Sequence, residues 1–246
     1  MKVTAIIPSR YKSRRFPGKP LVDIAGKTMI QRVYEQSEKS NLVDAVYVAT
    51  DSDEIYTSVM GFGGNVVMTS NTCSSGTDRV AEAARILELA EHDVIVNVQG
   101  DQPILQSECL NDLIQLFLLL PDLEMGTLAY GLSDEGEIND PNNVKVIFDG
   151  DKFAIYFSRA KIPFDRDGTS VAQYYKHLGI YAYSYAFLQE FTKLPQSRLE
   201  NIERLEQLRV LESGHRIQVA VTAYNSPSVD DPADIIKIVE ILKKWE

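Results

Sequence analysis

The densest group of reactive side chains in this sequence lies near its start. The run Pro8-Ser9-Arg10-Tyr11-Lys12-Ser13-Arg14-Arg15-Phe16-Pro17-Gly18-Lys19-Pro20 carries five basic groups, Arg10, Lys12, Arg14, Arg15 and Lys19. The whole chain has 25 Lys and Arg in 246 residues, about one in ten, so this loop is strongly enriched. Basic groups beside a glycine suit a polyphosphate, whose charge is shared by backbone N–H groups and cationic side chains. A solvated charged surface is the alternative. Gly26-Lys27-Thr28 does not make a phosphate-binding P-loop, because Leu21 stands where the first glycine belongs. No GxGxxG run occurs, which argues against dinucleotide binding.

Acidic groups follow in two places. In Gln99-Gly100-Asp101-Gln102-Pro103, glycine permits close backbone approach, and Asp101 is a hard oxygen donor. Mg²⁺ takes one or two such carboxylates together with phosphate oxygens; a plain turn is the alternative. Val229-Asp230-Asp231-Pro232-Ala233-Asp234 leads into the last helix. Helix capping accounts for one of these acids and leaves Asp230 to face a cation shared with Asp101. Ser74-Ser75-Gly76-Thr77-Asp78-Arg79 caps a helix, and its hydroxyls and Arg79 are also able to read the edge of a base. The second half offers Arg159, Arg166, His177, Tyr181, Glu206, Gln207 and Arg209. Glu206 and Arg209 stand three apart on a helix, where pairing is expected. His177 taken alone reads as structural. Three histidines and two cysteines argue against a His- or Cys-based metal site, and no Ser/His/Asp arrangement suggests itself.

Positioning these groups requires a sheet. Apolar runs Val3–Ile7, Ala45–Ala49, Val66–Met68 and Val94–Val98 alternate with helical segments Met29–Ser37 and Thr77 onward. In the latter, Val80, Ala83, Ala84 and Leu87 form one buried face. Continuous apolar strands separated by helices predict a doubly wound, mostly parallel α/β sheet covered on both sides. The pattern then changes. Val144–Phe148 and Lys152–Phe157 flank Asp149-Gly150-Asp151, a hairpin signal. His177–Tyr183 reads as a strand, Leu199–Leu211 as a helix stopped near Gly214, Arg216–Val221 as a strand and Pro232–Lys244 as a helix. This gives one domain, 1–246, with an inserted antiparallel subdomain over 144–215.

Composition excludes several classes. Apolar residues make up 44% and charged residues 24%, the usage of a packed globular chain rather than a disordered one. A net charge of −10 argues against a global attraction to nucleic acid or to an anionic membrane. The longest apolar run, Leu116 to Leu120, is far short of the ~20 residues of a membrane span. Neither a signal peptide nor a disulfide scaffold is evident, so a cytoplasmic protein is expected.

With these segments in order, the chain resembles the CMP-KDO synthetases, 3-deoxy-manno-octulosonate cytidylyltransferases, from Val3 to about Lys243. The resemblance rests on IIPSRYKSRRFPGKPL, VATDSDEI, SSGTDR, IVNVQGDQP, VKVIFD, IYFSRAKIPFDRD, KHLGIYAY, LEQLRVL and VDDPADI. It implies a nucleotidyltransferase that joins CTP to KDO or 8-amino-KDO, giving the CMP-sugar and pyrophosphate for lipopolysaccharide biosynthesis. It also implies Mg²⁺ and a homodimer whose contacts lie in the inserted subdomain. Residue by residue, Arg10, Arg15 and Lys19 match positions that hold the triphosphate, and Ser75, Arg79 and Gln99 match positions near the cytidine. Asp101 and Asp230 match the Mg²⁺-binding aspartates and, with Lys19, make up the catalytic set. Arg159, His177, Tyr181, Glu206 and Gln207 match the sugar-acid pocket.

The sequence departs from the family pattern in three places. Gln102 stands where Glu is common, Cys73 and Ser74 stand where His and Gln are common, and the segment 166–176 is short. Gln102 brings an N–H donor toward the expected sugar pocket, which adds it to the substrate-binding candidates. The branch that activates 8-amino-KDO looks similar in these places, whereas an ammonium favours Glu over Gln, so both sugars stay open. Two other readings remain: a sugar nucleotidyltransferase using UTP or a sialic acid, and a catalytically silent nucleotide sensor, which would not need both Asp101 and Asp230.

Overall fold

The computed structural model describes residues 1–11, 16–168 and 172–244. The first half runs β1 (Val3–Ser9), a 3-10 turn (Lys19–Leu21), β2 (Asp23–Ile24), β3 (Lys27–Thr28), α1 (Met29–Glu38), β4 (Ala45–Thr50), α2 (Asp53–Gly61), β5 (Val66–Met68), α3 (Gly76–Ile86), β6 (Val94–Asn97), α4 (Ser107–Leu119) and β7 (Met125–Leu132). The second adds α5 (Glu135–Asn139), β8 (Lys145–Phe148), β9 (Ala154–Ser158), β10 (Tyr174–Ser184), α6 (Tyr185–Phe191), α7 (Arg198–Glu203), α8 (Gln207–Glu212), β11 (Ile217–Thr222) and α9 (Asp234–Leu242).

Among the described residues nine strands form one sheet, in the order β11-β7-β10-β6-β1-β4-β5, with β8 and β9 attached through β10. β1 lies parallel to β4 and β6, β4 to β5, and β11 to β7. β10 runs antiparallel between β6 and β7. The mostly parallel α/β sheet expected from the apolar runs is therefore present. Side-chain alternation explains why those runs are continuous. Val3, Ala5 and Ile7 pack with Val33 of α1 and Leu110 and Leu113 of α4. Ile6 points the other way, into a cluster with Val80 and Ala84 of α3. Helix starts follow local chemistry. Thr28 and Ser52 accept from Gln31 and Ile55, and Ser75 with Asp78 forms a reciprocal capping box on α3. Gly26-Lys27-Thr28 belongs to the β2–β3 hairpin, whose central residues Ala25 and Gly26 both have positive φ. The hairpin expected around Asp149-Gly150-Asp151 is the β8–β9 pair. No helix among the described residues is long and apolar enough to cross a membrane.

Two local features differ from the sequence reading. The helix expected over Leu199–Leu211 is broken: Arg204 adopts a left-handed conformation (φ 56°) between α7 and α8. The break lets Arg209 pair with Glu200 across it, Nε to Oε2 at 2.8 Å, so Arg209 does not pair with Glu206. β10 is also irregular. His177 lies opposite Ala129 and Tyr181 opposite Thr127, so Leu178, Gly179 and Ile180 bulge against Leu128 alone. Four residues of regular strand span ~13 Å, yet the rings of His177 and Tyr181 lie 5.3 Å apart.

Gly100, in the turn after β6, lies close against the end of β1. A Cβ at this position would stand 3.2 Å from the Pro8 carbonyl oxygen and 3.5 Å from Ile7 Cγ2. Gly100→Ala therefore forces the strand-end loop away from β1 and lowers stability by about 1–3 kcal/mol, read as a lower urea midpoint with unchanged slope. An unchanged midpoint would show that the loop gives way freely.

Candidate active site

The carboxyl ends of β1 and β6 and the N-terminus of α3 enclose a cleft of about 300 Å³. Ligands of open α/β sheets bind at this edge. The β1 loop contributes Ser9, Arg10 and Lys19, the α3 start contributes Cys73, Ser75, Gly76 and Arg79, and the turn after β6 contributes Gln99, Gly100 and Asp101. Lys19 is presented by the 3-10 turn, whose entry is fixed by the Gly18 N–H bond to the Tyr11 carbonyl (3.0 Å) with Gly18 at φ 72°. Its Nζ meets Asp101 Oδ2 at 2.8 Å. Arg10 lies exposed at the rim. Arg15 lies outside the described residues, as do Lys12 and Arg14.

Asp101 is also where the C-terminal segment arrives. The Val229 N–H donates to the Asp101 carbonyl at 2.9 Å, so Asp230 follows directly upon a residue bonded to Asp101. Loop bracing falls to the neighbouring acids. Asp234 accepts the N–H groups of Asp230 (2.9 Å) and Asp231 (3.1 Å), and Asp231 accepts that of Ala233 (2.8 Å). Asp230 Oδ2 takes the Ser228 hydroxyl at 3.4 Å. Among the described residues no group of three or more His, Cys, Asp or Glu side chains could hold a metal. Two carboxylates completed by phosphate oxygens form a donor set that suits Mg²⁺; Asp101 and Asp230 are of the right chemistry for it, and their backbones are joined through the Val229–Asp101 bond.

Other candidates are committed to the scaffold. Arg79 is buried, pairing Nη2 with Asp51 at 3.1 Å and also bonding Thr69, which joins the ends of β4 and β5 to α3 at the cleft wall. Gln99 Nε2 donates to the Gly179 carbonyl (3.0 Å). Gln102 is buried, with Nε2 donating to the Leu178 carbonyl (2.8 Å) and Oε1 accepting from Ser226 (3.1 Å). A carboxylate at 102 would set two acceptors against each other at Leu178. Arg159 donates to the carbonyls of Glu203 (2.8 Å) and Pro141 (3.1 Å). Cys73 donates to Glu82 at 2.9 Å, and burial with that carboxylate pushes its thiol pKa up to about 11.

The second cluster lies beside the bulge. Tyr181 Oη donates to Gln207 Oε1 (3.0 Å), Gln207 Nε2 stands 3.5 Å from His177 Nδ1, and His177 Nε2 stands 3.0 Å from Thr127 Oγ1. Burial pushes the His177 pKa down to about 3 and keeps the ring neutral. Glu206, at the start of α8, accepts the hydroxyl of Thr77 in the first turn of α3, which links this cluster to the cleft. Two residues with a place here carried no signal in the sequence. Thr127 is a fully buried threonine in β7, and Ser9 has a buried hydroxyl on the cleft wall with no hydrogen-bond partner among the described residues.

Comparison with known proteins bears on this geometry. A family model described as Cytidylyltransferase matches residues 4–217. The chain belongs to the cytidylyltransferase family. The 3-deoxy-manno-octulosonate cytidylyltransferase of Desulfatibacillum aliphaticivorans is 54% identical to it over 243 residues, covering 99% of each chain. The 8-amino-3,8-dideoxy-manno-octulosonate cytidylyltransferase of Shewanella amazonensis is 51% identical over 246 residues, again covering 99% of each. A solved CMP:2-keto-3-deoxy-manno-octonic acid synthetase complexed with CTP superposes with a TM-score of 0.94, at 40% identity over the full length of both chains.

Within this cytidylyltransferase, Glu206 generates a pH dependence. Burial is the largest influence on its carboxyl and raises the pKa above the ordinary value, against the lowering by Thr77 and Arg209. The folded state thus holds this proton more tightly than the unfolded chain. The stability it contributes is full below the unfolded carboxylate pKa, ~4.3, and is lost as pH rises through the folded value. Glu206→Gln keeps an acceptor for Thr77 and removes that loss. The variant should gain on the wild type in urea-unfolding free energy as the pH rises above the ordinary carboxylate pKa of ~4.3; a pH-independent difference would show that the carboxyl does not titrate upward.

Proposed function

We propose that this cytidylyltransferase transfers the cytidylyl group of CTP to the anomeric hydroxyl of a 3-deoxy-manno-octulosonate-type sugar acid, releasing pyrophosphate. The observation that carries the reading is the convergence at Asp101: Lys19 on its carboxylate, the Val229–Asp230 segment on its carbonyl, and the cleft beside both. The names of the relatives support the substrates, and both the 8-hydroxy and 8-amino sugars occur among them.

In this reading the triphosphate lies along the β1 loop. Lys19, Arg10 and Arg15 balance its charge, so that pyrophosphate leaves more easily. Gly100, with no side chain, lets the Asp101 turn lie close against the end of β1, and Ser9 offers a hydroxyl that has no hydrogen-bond partner among the described residues. Ser75 and Gln99 flank the nucleoside, and Arg79 fixes the wall they stand on. Asp101 and Asp230 would hold Mg²⁺, which when bound supplies charge stabilisation at the reacting phosphate and acidifies the attacking hydroxyl. His177, Tyr181, Glu206 and Gln207 orient the sugar acid, with Arg159 at their margin; Gln102 acts through the bulge that carries them. No covalent enzyme intermediate is required, since positioning and electrostatics suffice for such a displacement. A homodimer formed through the 144–215 region is part of the same reading, supported by the exposed apolar side chains Ile155, Phe164 and Ile202.

The test is pyrophosphate release across four NTPs, with KDO and 8-amino-KDO compared under Mg²⁺ and a sialic acid as control. Release with CTP and a KDO-type acid supports the reading. CTP binding without release under any combination favours a sensor, and preference for UTP or sialic acid overturns the substrate assignment. Asp101→Asn should lower kcat by orders of magnitude; a normal rate with normal Mg²⁺ dependence removes Asp101 from the metal role. Lys19→Ala should weaken CTP far more than CMP, because its partners are the distal phosphates. Equal losses for both nucleotides contradict that placement.

A further inference from the structure

The bulge of β10 is held in an unusual way. Its three consecutive carbonyls, those of Leu178, Gly179 and Ile180, each accept a side-chain donor: Gln102 at 2.8 Å, Gln99 at 3.0 Å and Thr127 at 2.8 Å. Thr127 is the one of the three that also touches His177, at 3.0 Å from Nε2.

Proton counting fixes the direction of everything beyond it. A hydroxyl carries a single proton. The Ile180 carbonyl has none to give, so at 2.8 Å the Thr127 proton must lie toward it. Thr127 Oγ1 can then only accept from His177, which requires the proton of the neutral ring to sit on Nε2. His177 Nδ1 is left as a lone pair facing the Gln207 amide nitrogen, and Gln207 Oε1 accepts from Tyr181. The chain therefore runs in one sense, Tyr181 to Gln207 to His177 to Thr127 to the Ile180 carbonyl. Its outer end is a tyrosine oxygen whose only proton is committed inward.

We propose that Thr127 is a positioning residue for the sugar site, locking His177 as the Nε2–H tautomer and thereby presenting Tyr181 Oη as a hydrogen-bond acceptor to the sugar acid. The substrate half of this statement rests on the proposed function; the tautomer half does not.

Two measurements on the full-length enzyme test it. ¹⁵N NMR of the imidazoles at neutral pH, with His177 assigned by comparison with His92→Gln and His215→Gln variants, should show a protonated Nε2 and an unprotonated Nδ1. The opposite tautomer, or an imidazolium, overturns the proposal. Thr127→Val should raise KM for the KDO-type acid about tenfold, the effect of losing one buried hydrogen-bond partner, while KM for CTP stays within about twofold. Thr127→Ser, which keeps the hydroxyl, should restore the wild-type value. A parallel rise in both KM values, or a serine variant as poor as valine, would assign Thr127 a purely structural part and overturn the proposal. If the valine variant does not fold, the NMR result on the unaltered enzyme decides. If the enzyme turns over no KDO-type acid, the proposed function fails while the tautomer remains measurable.

Discussion

A single backbone hydrogen bond, from the Val229 amide to the Asp101 carbonyl, ties two regions of the chain more than half its length apart. Asp101 lies in the turn that follows the buried strand β6. The segment around Asp230 sits before a short amphipathic helix and is held by this bond, by the bracing from Asp234 and by the burial of Val229 beside Ile238 of that helix. The Ser226 hydroxyl on Gln102 and the burial of Val229 among Ile24, Met29 and Ile104 support the same placement, so the acids of the C-terminal segment keep a fixed relation to the cleft. The adjacent Lys19–Asp101 pair is partly exposed, with side-chain accessibilities of 15% and 31%. Pairs of that kind contribute little to stability, so its importance lies in where it puts a cation and an anion.

The sheet makes the same economy visible on a larger scale. Parallel strands bring β1 and β6 side by side with their carboxyl ends together, which delivers Ser9 and Gln99 to one rim. The antiparallel β10 then brings a second set of side chains across the sheet to the Gln99–Gln102 turn. The contact between the two sets is made by side-chain amides on bulged backbone carbonyls rather than by a regular ladder. Buried carbonyls displaced from a ladder need donors, and the turn that carries Asp101 supplies two of them. The geometry of the cleft and that of the His177–Tyr181 cluster are thus coupled through the backbone.

Much of this was legible beforehand, and the gaps have physical causes. β1 and β6 are legible as continuous apolar runs because both their faces are buried, and β4 as a shorter one whose Ala45 and Tyr47 are only partly covered. β7, central to the sheet, escaped notice because Gly126, Thr127 and Gly131 interrupt its apolar pattern. The break at Arg204 has no local marker, since a non-glycine residue in the left-handed region is held there by the Glu200–Arg209 pairing across it. Lys19 and Asp101 stood out by residue type. Thr127 did not, because its meaning depends on register, and register is a property of two strands. Gln102 was visible as a departure, but its engagement with Leu178 and Ser226 could not be read from its neighbours in sequence.

Cys73 lines the cleft between β1 and α3, where an exposed thiolate would be a liability. Its hydrogen bond to the Glu82 carboxylate and its partial burial keep it almost wholly in the S–H form at neutral pH. Since the thiolate is the form that reacts with electrophiles and peroxides, a thiol held protonated in this way favours a low reactivity of Cys73, half-buried as it is in the cleft wall.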